Sequence, residues 1–252
     1  MKPWSIEAQR DRRREQAAYI RSQLRPLLAD DARAERLVWW DQDRVAIWAS
    51  HAFFLGDAGE VAFANVVLRY ALGSPFTPGP NVFTAAALAG VLACHGAKLE
   101  QDVRTAAEER LAVTLPFGMT ADFQFNGYND NMPIMWTWAL AFGGELLGDA
   151  RFTKVAWANL CQLRDLLRRR GTVSEYGANY ATHRLTGLAR LATHSRDARI
   201  RELAGQCEAR IWAELAGHWS PAVAQIGGAA MRGGYPLNQE TPALLQIGRA
   251  HV

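Results

Sequence analysis

Between Phe125 and Pro133 the chain reads Phe-Asn-Gly-Tyr-Asn-Asp-Asn-Met-Pro, a short span crowded with hydrogen-bonding side chains. Asn126, Tyr128, Asn129 and Asn131 offer donors and acceptors of the kind that bind sugar or polyol hydroxyls. Asp130 adds a carboxyl group able to give or take a proton. Trp136 follows a few residues later, with Trp138 beyond it, and an indole face is a good surface for a sugar ring. A plainer account is available: Asp130 or Asn131 caps a helix, Pro133 opens its first turn, and the rest is turn chemistry. That account needs only one or two of these residues.

A second polar run, Ser174-Glu175-Tyr176-Gly177-Ala178-Asn179-Tyr180-Ala181-Thr182-His183, lies one helical hairpin further on. If it is helical, Tyr176, Tyr180 and His183 share one face. Tyrosine beside histidine can pass a proton, and an asparagine such as Asn179 can neutralise a carboxylate. Here too a structural reading competes, because Thr172 and Glu175 fit a T-x-x-E capping box and Tyr180 fits a core position. Asp130 and Glu175 both precede helices separated by one hairpin, which puts them on the same rim. Two facing carboxyl groups are what acid–base cleavage of a glycosidic bond requires. The candidate catalytic residues are therefore Asp130, Glu175, Tyr176, Tyr180 and His183. The candidate substrate-binding residues are Asn126, Tyr128, Asn129, Asn131, Trp136 and Asn179.

Metal and cofactor chemistry find no foothold. His51, His95, His183, His194 and His218 show neither HxxxH nor HExxH spacing. There is no phosphate loop, dinucleotide fingerprint or G-x-S-x-G. His95 and His194 fall at helix ends, where capping and dipole effects are the expected roles. Neither a metal nor a cofactor is expected. Cys94, Cys161 and Cys207 are far apart at apolar helical positions and read as small core residues, not as a disulfide framework.

The elements that must position these groups are helices. Val45, Trp48, Ala49, Ala52 and Phe53 fall at the spacing of one helix face, and so do Phe83, Ala86, Ala87, Gly90, Val91 and Cys94. Met132, Met135, Trp136, Ala139, Gly143 and Leu146 repeat the pattern, as do Ile200, Leu203, Ala204, Cys207 and Ile211. No stretch alternates with β-branched enrichment, so strands are not expected. The turns repeat as well: Leu55-Gly56-Asp57-Ala58 and Leu147-Gly148-Asp149-Ala150 are each followed by a related string, FANVVLR from Phe63 and WANLCQLR from Trp157. Together with His95-Gly96-Ala97 and His194-Ser195-Arg196-Asp197-Ala198, they mark a leading helix over about residues 5–29 and four stacked helical hairpins. The longer loops, 73–82, 115–131, 171–179 and 219–242, fall between hairpins and suggest one functional face.

Composition narrows the partners. The net charge is only +3, and 49% of residues are hydrophobic against 21% charged, as in ordinary globular domains. Arg12–Arg14 and Arg168–Arg170 are basic blocks without interleaved aromatics, and the second precedes Gly171, where cations suit a helix C-terminus. A nucleic-acid partner is not expected, and no apolar run approaches a membrane span. The charged start MKPWSIEAQRDRRREQ lacks a signal-peptide core, so a cytoplasmic location is expected. The last residues, Ile247–Val252, match what a common sequencing-adapter stretch encodes in one frame. The natural sequence is thus expected to stop near Leu245 as a piece of one longer domain, with 246–252 as a non-native tail. No oligomeric state is encoded in these features.

With those residues in hand, the chain resembles the (α/α)-toroid superfamily of polysaccharide lyases and related glycosidases, including heparinase II/III-like proteins. GTVSEYGANY (Gly171 to Tyr180) is similar to an S-E-Y-N-S-P-T-Y motif of bacterial and fungal toroid proteins. The later Trp212 to His218-Trp219 is similar to their W-x-x-x-x-x-H-W element. The resemblance covers roughly residues 120–235 and departs at Gly-Ala-Asn-Tyr, which is firmer ground at Ser174, Glu175 and Tyr176 than at Asn179 and Tyr180. It implies an all-α, (α/α)-toroid fold of antiparallel hairpins, here incomplete, and an open toroid would expose an apolar helix face and favour aggregation. It also implies β-elimination, in which Asn or His neutralises a uronate carboxylate and Tyr or His removes the adjacent proton. Asn129, Tyr176, Tyr180 and His183 are the residue types for that reaction; a toroid glycosidase would use Asp130 and Glu175. The expected function is a carbohydrate-active lyase or glycoside hydrolase acting on a saccharide or other polyol. A non-catalytic helical-repeat scaffold and a toroid lyase for a terpenoid or small alcohol are the alternatives.

Overall fold

A computed structural model describes residues 6–29, 42–120, 125, 130–173, 178–220, 222 and 225–226. Among the described residues there are nine α-helices: α1 (Ile6–Leu28), α2 (Gln42–Phe54), α3 (Ala58–Gly73), α4 (Val82–His95), α5 (Gln101–Thr114), α6 (Asn131–Leu147), α7 (Ala150–Arg170), α8 (Ala178–His194) and α9 (Ala198–Gly217). Short 3-10 turns occupy Gly96–Lys98 and Leu115–Met119. The all-α expectation holds, and the leading helix and four hairpins fall where the apolar period placed them. One small departure from it is a two-residue antiparallel contact, Trp219–Ser220 with Gln225–Ile226, too short to act as a sheet. The helices gather into two compact units, Met1–Thr114 and Leu115–Val252.

In the first unit, α2–α3 and α4–α5 are the hairpins, and α4 is their core. Its residues from Thr84 to Leu92 are all buried, as befits a helix that is apolar on every side. Asp57 opens α3 with a full capping box: it accepts from the Glu60 N–H while the Glu60 carboxylate accepts from its own N–H. Asn65 of α3 donates to the carbonyls of Val61 and Lys98 and accepts from the Glu100 N–H, fastening α3 to the turn before α5.

The other end of α3 has no basic residue in its last turn, and Arg110 of α5 supplies the missing donors. Its buried guanidinium donates to the carbonyls of Ala71, Leu72 and Ser74 at 3.1, 2.7 and 3.0 Å and lies 4.5 Å from the centre of the Phe76 ring. Ala71 and Leu72 belong to the last turn and Ser74 is the C-cap residue, where no intrahelical donor remains. Arg110→Ala strips them of donors and opens a void. It should lower the stability of the chain by about 3 kcal/mol, read as a shift in the urea midpoint.

In the second unit the hairpins are α6–α7 and α8–α9. Every residue of α6 from Pro133 to Gly144 is buried, so α6 plays the part that α4 plays in the first unit. Gly148, in the left-handed region at φ 69°, ends α6; Gly171, at φ 77°, ends α7 as the sequence anticipates. Asp149 and Asp197 open α7 and α9 by accepting the N–H of Arg151 and Arg199, two residues on. The same arginines grip the carboxylates from the side at 2.6 and 2.7 Å. That Asp-Ala-Arg device occurs twice because the hairpin turn repeats.

The arginine hydrogen bond holds each of these two carboxyls below the usual aspartate value. A carboxyl lowered in the folded state stabilises at pH values above its unfolded pKa and loses that contribution as pH falls through its folded value. Asp149→Asn with Asp197→Asn keeps both caps but removes the charges. The double variant should melt lower than the parent near neutrality, and the gap in Tm should close as pH drops below about 4.

Candidate functional site

The site is built on α6 and α8 in the second unit, and their alignment decides which side chains can meet. A Cβ added to Gly187 of α8 would lie 2.2 Å from Cε3 of Trp138 and 3.1 Å from Cγ1 of Ile134 on α6. The Arg190 guanidinium sits 5.6 Å from the centre of the Trp138 ring. Further along, the Glu145 carboxylate accepts from the Ser195 hydroxyl and from the N–H of Arg196 at 2.9 Å. The contacts advance along both helices in the same direction, so α6 and α8 run parallel. Carried back one turn, the same register sets Asp130 level with the stretch Tyr180–His183. Because α7 and α9 run the opposite way within their hairpins, the C-terminal ends of both return to this rim.

Asp130 stands at the N-cap position of α6, where the plainer reading of the sequence puts a capping side chain. It is 0% exposed and makes no side-chain cap hydrogen bond. A capping hydrogen bond, the usual reason for an aspartate at a helix start, therefore does not account for it. Asn131 beside it is also buried.

On α8, Tyr180 and His183 are half-buried neighbours with ring centroids 6.3 Å apart, so the one-face spacing read from sequence does bring them together. Arg184 follows them at 2% exposure, one turn before Gly187. The sequence reading passed over Arg184. The signal was there: its spacing from Ala181, Leu185 and Leu188 puts a cation on the apolar face of α8.

Trp136 needs correction. Its ring is fully buried, pressed where a Cβ on Gly118 would come within 2.3 Å of Cε3, so it packs the core behind the site and offers no face for a sugar. The exposed indole at this rim is Trp219, just past the end of α9 and 38% exposed. It stands next to His218, whose ring nitrogen Nδ1 is 2.9 Å from the Glu214 carbonyl. Exposed Arg168, Arg169 and Arg170 close α7 at the same rim, and Arg210 reaches to 3.2 Å of where a Cβ on Gly171 would be. Asn126, Tyr128, Asn129, Glu175 and Tyr176 lie outside the described residues, as does the side chain of Asn179, which belongs to the first turn of α8.

The arrangement has the parts for proton transfer on an anionic ligand. The N-termini of α6 and α8 point to the same rim, and each carries partial positive charge. Exposed guanidinium groups add to it, while Tyr180 and His183 supply a proton donor and acceptor side by side. Compared with family models, curated proteins and solved structures, the chain matches none. The site is therefore interpreted on its own chemistry. Among the described residues no three His, Cys, Asp or Glu side chains come together as metal ligands would, and no helix is long and apolar enough to cross a membrane.

His51 and His95, in the first unit, meet in packing, where the expectation for His95 was a capping or dipole role at its helix end. His95 ends α4 and makes no side-chain cap to the 3-10 turn that follows; its ring stacks on Phe54 at 5.2 Å and meets His51 edge-on at 5.1 Å. Both rings are buried and pack as aromatics.

Proposed function

We propose that this chain is a carbohydrate-active enzyme of the (α/α)-toroid kind that cleaves an acidic sugar chain by β-elimination. The observation that carries the proposal is the Tyr180–His183 pair set level with a buried, non-capping Asp130. In this reading His183 takes the proton next to the uronate carboxylate. The bond to the leaving sugar oxygen breaks as the double bond forms, and Tyr180 protonates that oxygen. The arginine rim and the two helix N-termini offset the charge that builds on the carboxylate side. Trp219 offers an exposed face to a sugar ring.

A second reading rests on Asp130 itself. With Glu175 as its partner it would form a carboxyl pair at this rim, and the reaction would be hydrolysis. Incubating the chain with polygalacturonate, alginate and sulfated uronate polymers separates the two. Elimination yields a conjugated, ultraviolet-absorbing end at each cut; hydrolysis yields a new reducing end without it. Binding without any new ends would leave the helical-repeat scaffold as the surviving alternative.

A further inference from the structure

Two buried titratable side chains of the first unit take no part in the proposed reaction, and they touch each other. His51, in the last turn of α2, and His95, at the end of α4, meet edge-on with ring centroids 5.1 Å apart. Trp48 flanks the His51 ring at 5.8 Å, and Phe54 stacks on the His95 ring at 5.2 Å. The pair therefore fills an aromatic corner where α2 and α4 pack together. Lys98, on the turn after α4, donates to the Phe54 carbonyl and already places a cation at this corner. On α1, Arg21 lies over the Phe53 and Phe63 rings and pairs with Glu60 of α3 at 3.3 Å. At the head of α5, Glu100 and Asp102 are both gripped by Arg69 of α3. Cys94, beside His95 on α4, is a free thiol.

We propose that the His51–His95 contact is an acid-sensitive latch between α2 and α4, closed while the rings share at most one proton and opened by a second. The geometry sets that limit. Two imidazolium rings in contact and shielded from water repel each other, so the fold holds no more than one proton on the pair. The unfolded chain carries both once pH drops below about 6.5, the ordinary histidine value. Opening the first unit therefore takes up at least one proton. Above that value the latch contributes its full stability, and the contribution is lost as pH falls below it. The window, roughly pH 5 to 6.5, lies above the one in which the Asp149 and Asp197 carboxyls of the second unit lose their charge.

The test uses the full chain with isotope-labelled histidine, unfolded in urea at pH 7.5 and at pH 5.0 and read from the His95 ring signals. His51→Phe keeps an aromatic ring in the corner and removes one of the two titrating groups. The unfolding equilibrium constant of the parent should rise more on acidification than that of the variant. One proton taken up on unfolding makes the difference about 30-fold over this interval. An equal rise in parent and variant would overturn the proposal. A second measurement needs no substitution: the folded parent is titrated from pH 7.5 to 5.0 without urea. The exposed His218 should titrate through its full shift, while His51 and His95 together show no more than one proton's worth of change before unfolded signals appear. Full titration of both rings in the folded chain would contradict the latch, whether or not the variant folds.

Discussion

Replacing Gly187 with valine is expected to disrupt the second unit more than any other single substitution on α8. A Cβ there would fall 2.2 Å from one Trp138 ring carbon and 2.5 Å from another, far inside van der Waals contact. The ring has nowhere to go, because Trp138 is fully buried within a helix that is itself buried all round. Ile134 blocks the remaining side. Overpacking of this kind costs about 1–3 kcal/mol when the core can adjust and more when it cannot, so valine should sit at or above the top of that range. Gly187→Ala should show a smaller loss of the same sign. Urea unfolding followed by tryptophan fluorescence reads both. A valine variant as stable as the parent would mean that α6 and α8 are not in the register that aligns Asp130 with Tyr180 and His183.

His183→Ala and Tyr180→Phe carry the other large effect, on rate and not on folding. Each removes one half of a proton-transfer pair, and positioned acid–base groups contribute roughly 10²–10⁴-fold to turnover. Both side chains are only half-buried, so the melting temperature should move little. The split matters: a fall in kcat with KM nearly constant places the pair in the chemistry, whereas a rise in KM alone would make them binding residues. Asp130→Asn is the companion. Under elimination it should slow the reaction modestly, and under hydrolysis it should remove it.

Much of the fold could be read from the chain because the information was local. An apolar residue every third or fourth position, a Gly-Asp pair at the turn and a cap at the next helix start are each sufficient within a few residues. The same Leu-Gly-Asp-Ala string served two hairpins, although only Gly148 and not Gly56 adopts positive φ. The candidate site was legible only in part. The adjacency of Tyr180 and His183 was legible because they lie on one helix, where spacing alone decides it. Asp130 was ambiguous because a capping aspartate and a buried aspartate have the same sequence; only the missing cap bond tells them apart. Trp136 was misjudged because aromatic content does not say which way a ring points, and a helix buried all round has no outward face. Arg184 had a local signal, a cation on the apolar face of α8, that went unread, whereas the place of Trp219 follows from the direction of α9 within its hairpin. The His51–His95 contact lies beyond any local pattern, made across α2 and α4.

The account turns on the rim of α6 and α8 being where a ligand is held, and the histidine signals of the folded chain report on that directly. Isotope-labelled histidine NMR gives one imidazole signal set per residue, assigned by single substitution. Titration with a short oligogalacturonate is predicted to shift the His183 signals and, more weakly, those of His218 at the same rim, while the buried His51 and His95 stay put. Unchanged His183 signals at saturating oligosaccharide, or shifts confined to His51 and His95, would contradict it.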